Sequence, residues 1–225
     1  MTVLTRIEME PANAVVQRDL GDAGAMHRRT MGAFATGDRG RARHALGVLW
    51  RVDWSPGGRL PLLLVQSNEA GEWDGLPAGW ARSVAAKRVD QALEAVCQGQ
   101  TLRFRLRANV TRKIDTKTFD DGVRRRGRRV PVRAEGGALA WLIRHGQAAG
   151  FILAGGPGHL SVDLRHEPPA LARRPGGVVT IEAIQYDGYL VVTDPASLAQ
   201  AVRTGIGPGK AFGCGLLSLA PASRA

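Results

Sequence analysis

With 225 residues, 44% of them hydrophobic, the chain can bury a real core in one large domain or two small ones, which excludes wholesale disorder. Its two cysteines, Cys97 and Cys214, exclude a disulfide scaffold or a Cys-rich zinc module, and no run reaches the roughly 18 apolar residues of a membrane helix. The formal charge is +11, from 31 Lys and Arg against 20 Asp and Glu, and 27 of those 31 are Arg, the residue best shaped for planar contact with phosphate.

Thr2–Glu10 alternates, with Val3, Thr5, Ile7 and Met9 on one side, and predicts a half-buried strand. Arg6 breaks the N-terminal apolar run, so it does not read as a signal peptide; a soluble, cytoplasmic protein with no membrane partner is expected. Asp22 is placed to cap a helix whose stripe runs Ala23, Met26, Thr30, Ala33, Phe34. Leu46, Val48, Trp50, Val52 and Trp54 then alternate as a strand, and Ser55-Pro56-Gly57-Gly58 turns it into a second at Leu60–Gln66. Ala81–Val96 reads equally as helix, strand or a mixture.

In the second half, Leu102, Phe104, Leu106, Ala108 and Val110 alternate with Arg103, Arg105, Arg107 and Asn109: one face is core and the other carries three guanidiniums. Residues 111–134 are polar and basic, and read as a loop or hairpin tip. Ala138–Ala149 predicts a helix. Val178–Ile184 and Tyr189–Thr193 flank Asp187-Gly188, a favourable hairpin turn. Asp194 caps a helix with Pro195 at its first position, and Leu216–Leu219 is a last short strand. The order β-α-β-β-α-β, read twice, predicts an α+β protein of two tandem ferredoxin-like (RRM-like) βαββαβ domains, residues 1–97 and 98–225.

The charge is concentrated. Residues 101–145 hold 13 Arg and Lys against 4 Asp and Glu, a net of +9; the rest hold 18 against 16, a net of +2. One block of this kind is the footprint of a polyanion site, and nucleic acid fits it best.

Of the five histidines, His27 stands out, because it borders the core stripe of the first helix and is followed by Arg28 and Arg29. A histidine beside guanidiniums can move a proton at a phosphodiester while the cations neutralise charge. The stretch Gly205–Gly215 contains five glycines and Lys210. It lacks the P-loop order, yet its backbone N–H groups and one ammonium suit a phosphate backbone. No metal-ligand spacing and no Gly-x-Ser-x-Gly elbow occurs, so phosphodiester chemistry without metal or small-molecule cofactor is expected.

Leu102-Arg103-Phe104-Arg105-Leu106-Arg107-Ala108-Asn109 and Gly205-Ile206-Gly207-Pro208-Gly209-Lys210, continuing through Gly213-Cys214-Gly215-Leu216-Leu217-Ser218-Leu219-Ala220-Pro221, resemble the CasE family. These are the CRISPR-associated endoribonucleases of the type I-E Cascade complex. Ala25-Met26-His27-Arg28, Val130-Pro131-Val132 and Ala140-Trp141-Leu142 extend the resemblance over nearly the whole chain. It implies tandem ferredoxin-like domains and metal-independent cleavage of the CRISPR repeat transcript at the 3′ base of its stem-loop. The RNA's own 2′-hydroxyl attacks the adjacent phosphate, leaving a 5′-hydroxyl and a 2′,3′-cyclic phosphate, and the product stays in Cascade.

His27 matches the family's catalytic histidine; Arg28, Arg29 and Lys210 are candidates for steadying the transition state. Some relatives carry a tyrosine three residues before that histidine, where this chain has Gly24. Arg29, Arg103, Arg105, Arg107, Arg112, Lys113, the run Arg124, Arg125, Arg126, Arg128 and Arg129, and the loop glycines Gly207, Gly209 and Gly213 are the RNA-binding candidates. The implied partners are the repeat stem-loop, as pre-crRNA and crRNA, and the other Cascade subunits. The rival readings are a subunit that binds the hairpin without cutting it and a general double-stranded RNA binder.

Overall fold

The structure, a computed structural model, describes residues 1–34, 43–114, 128–156 and 158–222. Strand β1 (Val3–Met9) has the expected alternation, with Val3, Thr5, Ile7 and Met9 buried. Two helices follow instead of one. Asn13 opens α1 (Ala14–Leu20), its side-chain oxygen accepting from the N–H of Val15 and Val16; Asp22 opens α2 (Ala23–Met31) in the same way through Gly24. Strands β2 (Leu49–Trp54) and β3 (Pro61–Ser67) form the expected hairpin, and β4 (Ala81–Arg88) completes an antiparallel sheet ordered β2-β3-β1-β4.

The first half lacks the expected helix between its third and fourth strands. Gly71, Gly75, Pro77 and Gly79 punctuate that connection and disfavour a helix. Trp73, Leu76 and the fully buried Trp80 fill the space with side chains instead, Trp73 meeting Phe34 edge-on at 6.1 Å. The ambiguous stretch after it is a mixture: β4, then the short helix α3 (Asp90–Glu94), whose Leu93 packs into the second core.

The second half is built on β5 (Thr101–Asn109), with the hairpin β6 (Thr111–Ile114) and β7 (Arg128–Pro131) beyond its end. Helix α4 (Glu135–Ala148) leads to β8 (Phe151–Leu153), the small ribbon β9 (Gly155–Gly156) and β10 (His159–Leu160), and β11 (Val162–His166). A second hairpin, β12 (Ala170–Arg174) and β13 (Gly177–Ile181), precedes β14 (Ala183–Val192), α5 (Pro195–Thr204) and β15 (Leu217–Pro221). The sheet order β11-β14-β5-β15 has the same plan as the first sheet, so the α+β, tandem ferredoxin-like class holds.

One turn falls elsewhere than the sequence suggests. Asp187-Gly188 lies inside β14, and the hairpin turn is at Pro175-Gly176. Gly188 serves a close approach: a Cβ there would lie 2.3 Å from the Ser161 carbonyl oxygen, and only a residue without one lets β11 pass.

The two sheets are bound to each other by Arg51, which is 1% exposed. It grips Asp53 with Nε and Nη2, both at 2.8 Å, and reaches across to the Leu216 carbonyl at 3.0 Å and Ser218 Oγ at 2.9 Å. Gln66 adds a bond of 2.6 Å to the Val202 carbonyl.

Candidate active site

Helix α2 carries His27 toward the short 3-10 turn Lys210–Phe212, against which it packs. Burial drives the His27 imidazole down to about 4, and the positive charges of Arg43 and Arg28 push the same way. It is therefore neutral at pH 7 and able to take a proton. Its Nδ1 is buried and, among the described residues, has no hydrogen-bond partner. Lys210 is also held below the usual ammonium range, by burial and then by Arg43. Arg43, half-buried just before β2, thus acts on both groups. Sequence reasoning missed it, since it belongs to no motif and no periodic element.

The glycine-rich segment is a closely packed, internally hydrogen-bonded platform. All five of its glycines have positive φ. Gly209 and Gly213 flank the 3-10 turn in the left-handed region, and a Cβ on Gly213 would meet the Trp50 ring at 2.7 Å. A Cβ on Gly207 would likewise meet the Trp141 ring, at 2.8 Å. Several amides of the segment are used internally: Ile206 donates to Gly215, Phe212 to Gly209, and Gly215 to the Arg107 carbonyl.

The three arginines of β5 differ in kind. Arg103 is exposed and, among the described residues, has no carboxylate partner. Arg105 donates to Asp187 at 2.5 Å and stands 3.7 Å from Asp53. Arg107 is largely buried; it grips Glu167 at 2.7 Å and donates to the carbonyls of Phe212 and Gly213 at 3.0 and 3.2 Å. On α2, Arg29 pairs with the buried Asp19 at 2.9 Å, and Asp19 also accepts from Trp80 Nε1. Arg28 donates to the Arg173 carbonyl at 3.0 Å, while most of its side chain remains in solvent.

Arg112, Lys113 and Arg129 are exposed on the β6–β7 hairpin, and Arg128 belongs to the backbone of β7. Arg124, Arg125 and Arg126 lie outside the described residues. A cleft of about 880 Å³ separates the halves, lined by Arg105, Arg107 and Arg165 but also by Asp19, Asp53 and Glu167. Its charges balance, so Arg112, Lys113 and Arg129 of the hairpin and Arg103 of β5, which have no carboxylate partner among the described residues, offer the better surface to a polyanion. Among the described residues no three His, Cys, Asp or Glu side chains gather as a metal site.

A family model described as CRISPR associated protein matches residues 3–221. The CRISPR-associated endoribonuclease Cse3 of Thermus thermophilus is 33% identical, over 97% of this chain and 99% of its own. The CRISPR system Cascade subunit CasE of Escherichia coli is 35% identical over 144 residues, which cover 63% of this chain and 67% of its own. A structure of Thermus thermophilus Cse3, bound to an RNA representing a pre-cleavage complex, matches with a TM-score of 0.79 at 31% identity, covering 98% of this chain and 99% of that one. The matches run through both sheets, the helix of His27 and the glycine-rich platform: the chain belongs to the Cse3/CasE family of CRISPR-associated proteins.

Proposed function

We propose that this chain is the endoribonuclease that binds the stem-loop of the CRISPR repeat and cuts pre-crRNA at the 3′ base of that hairpin. The 2′-hydroxyl before the scissile phosphate attacks phosphorus as His27 takes its proton. The bond to the 5′-oxygen breaks, and that oxygen leaves as a 5′-hydroxyl on taking a proton from water, with a 2′,3′-cyclic phosphate on the other fragment; His27 then returns its own proton to solvent. The ammonium of Lys210 and the guanidiniums of Arg28 and Arg43 stabilise the charge that builds on the phosphate oxygens. The nucleophile comes from the RNA and the counter-charge from the protein, so the reading requires no metal.

The observation that carries it is the placement of His27: half-buried on the helix that packs against the Lys210–Phe212 turn, its buried Nδ1 without a hydrogen-bond partner among the described residues, with Arg43 and Arg28 near enough to act on it. Arg103, Arg112, Lys113 and Arg129 hold the stem through its phosphates, as A-form RNA offers shape and backbone rather than base edges in its deep groove. Arg105, Arg107 and the loop glycines support that surface from behind. We place the domain boundary at 97/98, between the end of the first sheet at Arg88 and the start of the second at Thr101. The partners are the repeat RNA and the other Cascade subunits, and the setting is the cytoplasm; no described helix is long and apolar enough to cross a membrane.

The test is a repeat RNA carrying one 2′-deoxy nucleotide before the scissile phosphate, offered in EDTA. It is bound but not cut on this reading, while the all-ribose RNA is cut under the same conditions. Cleavage of the deoxy substrate contradicts internal attack.

A further inference from the structure

We infer that Asp22 is a positioning residue for cleavage: it fastens the first turn of the His27 helix to the backbone of β12, which occupies the space that a side chain at residue 24 would need. This rests on the reading of His27 given above.

Asp22 is 5% exposed, and its Oδ1 accepts two backbone N–H groups, each at 2.9 Å. One is Gly24, in its own helix; the other is Arg173, 151 residues away on β12. The Arg173 carbonyl in turn accepts from Arg28 Nη1 at 3.0 Å. A Cβ built on Gly24 would fall 2.1 Å from that same carbonyl oxygen, so helix and strand touch backbone to backbone. Burial opposes ionisation of Asp22, but the amides of Arg173 and Gly24 outweigh it and hold the carboxyl below its usual range.

The clamp bears on His27 through geometry. His27 lies one turn beyond Ala23 and Gly24, so any tilt at the start of α2 displaces the imidazole relative to Lys210. The charged groups that act on it are Arg43 before β2 and Arg28 on its own helix; Lys210 stands on the 3-10 turn against which α2 packs, and Asp22 pairs with Arg28 and Arg173 at the clamp. Loss of the clamp admits water to a histidine that burial now keeps neutral. Asn at position 22 preserves the one oxygen that accepts both amides, whereas Ala preserves neither bond.

The experiment compares wild type with Asp22→Ala, Asp22→Asn and Gly24→Ala in two measurements. The first is the NMR titration of His27 in the RNA-free protein. The second is single-turnover cleavage of the repeat hairpin at saturating enzyme, with hairpin affinity measured alongside. The His27 titration midpoint should move up from about 4 toward 6.5 in Asp22→Ala and Gly24→Ala and stay in place in Asp22→Asn. The cleavage rate should fall about tenfold or more in the first two and recover in the third, with affinity held within about threefold. Unmoved titration midpoints and a wild-type rate per folded molecule would overturn the inference. If wild type itself does not cut while the midpoints move as stated, the clamp stands and the assignment of cleavage falls.

Discussion

Arg107 Nη1 lies 3.0 Å from the carbonyl oxygen of Phe212, and this bond joins the basic strand β5 to the platform that carries Lys210. Arg103, on the same face of the same strand, points into solvent. Two arginines of one alternating pattern therefore sit in opposite settings, Arg107 bonded within the protein and Arg103 exposed to solvent, where the proposed function places RNA.

Substituting them should separate those duties. Arg107→Ala strands Glu167 and two carbonyls, at a cost of about 3 kcal/mol, which lowers Tm by about 6–12 °C. Arg103→Ala leaves Tm within about 2 °C but weakens hairpin binding and reduces the salt dependence of log K by about one unit of slope. Thermal melts and binding isotherms at several salt concentrations check both. Equal effects of the two substitutions on Tm and on the salt slope contradict the division.

The state of His27 has a consequence for stability. Its folded-state value, about 4, lies below the ordinary 6.5, so between these limits the unfolded chain binds more protons than the native one. Stability therefore rises with pH across that window and is fully present above it; acidification through 6.5 toward 4 removes it. Wild-type Tm should climb more steeply from pH 4 to 6.5 than that of His27→Ala. The acid limb of kcat/KM, which reports the free enzyme, should lie near the same low value. Parallel Tm profiles contradict the depressed state of His27.

The family tyrosine cannot simply be restored at position 24. Gly24→Tyr drives a side chain into the Arg173 carbonyl, 2.1 Å from where its Cβ would start, and overpacking of this kind costs at least about 2 kcal/mol. The variant should melt lower and cut more slowly than wild type. A gain in cleavage rate at unchanged Tm refutes this account of why glycine stands there.

Much of the fold was legible because its signals are local. The two-residue period of β1, β2 and β5 follows from backbone geometry alone, and Asp22 and Asp194 mark helix starts by chemistry within three residues. The failures concern contacts between distant segments. Asp187-Gly188 has the composition of a tight turn, but Gly188 is glycine for the sake of Ser161. The missing helix of the first half is replaced by Trp73, Leu76 and Trp80, whose packing no period announces.

The site divides in the same way. His27 and Lys210 could be singled out from helix placement and loop composition. That Arg107 is spent on Phe212 and Glu167, and Arg29 on Asp19, depends on where sequence-distant carbonyls and carboxylates arrive. Arg43 became visible only through its effect on His27 and Lys210.

The central claim is that His27 moves the proton in an internal transesterification. The measurement is cleavage of the native repeat RNA in EDTA by wild type and His27→Ala, with the product ends identified and hairpin affinity determined in parallel. A 5′-hydroxyl and a 2′,3′-cyclic phosphate from wild type, with the rate reduced about 100-fold or more in His27→Ala at unchanged affinity, is the predicted result. Cleavage by His27→Ala at the wild-type rate, or binding without cleavage by wild type, contradicts it.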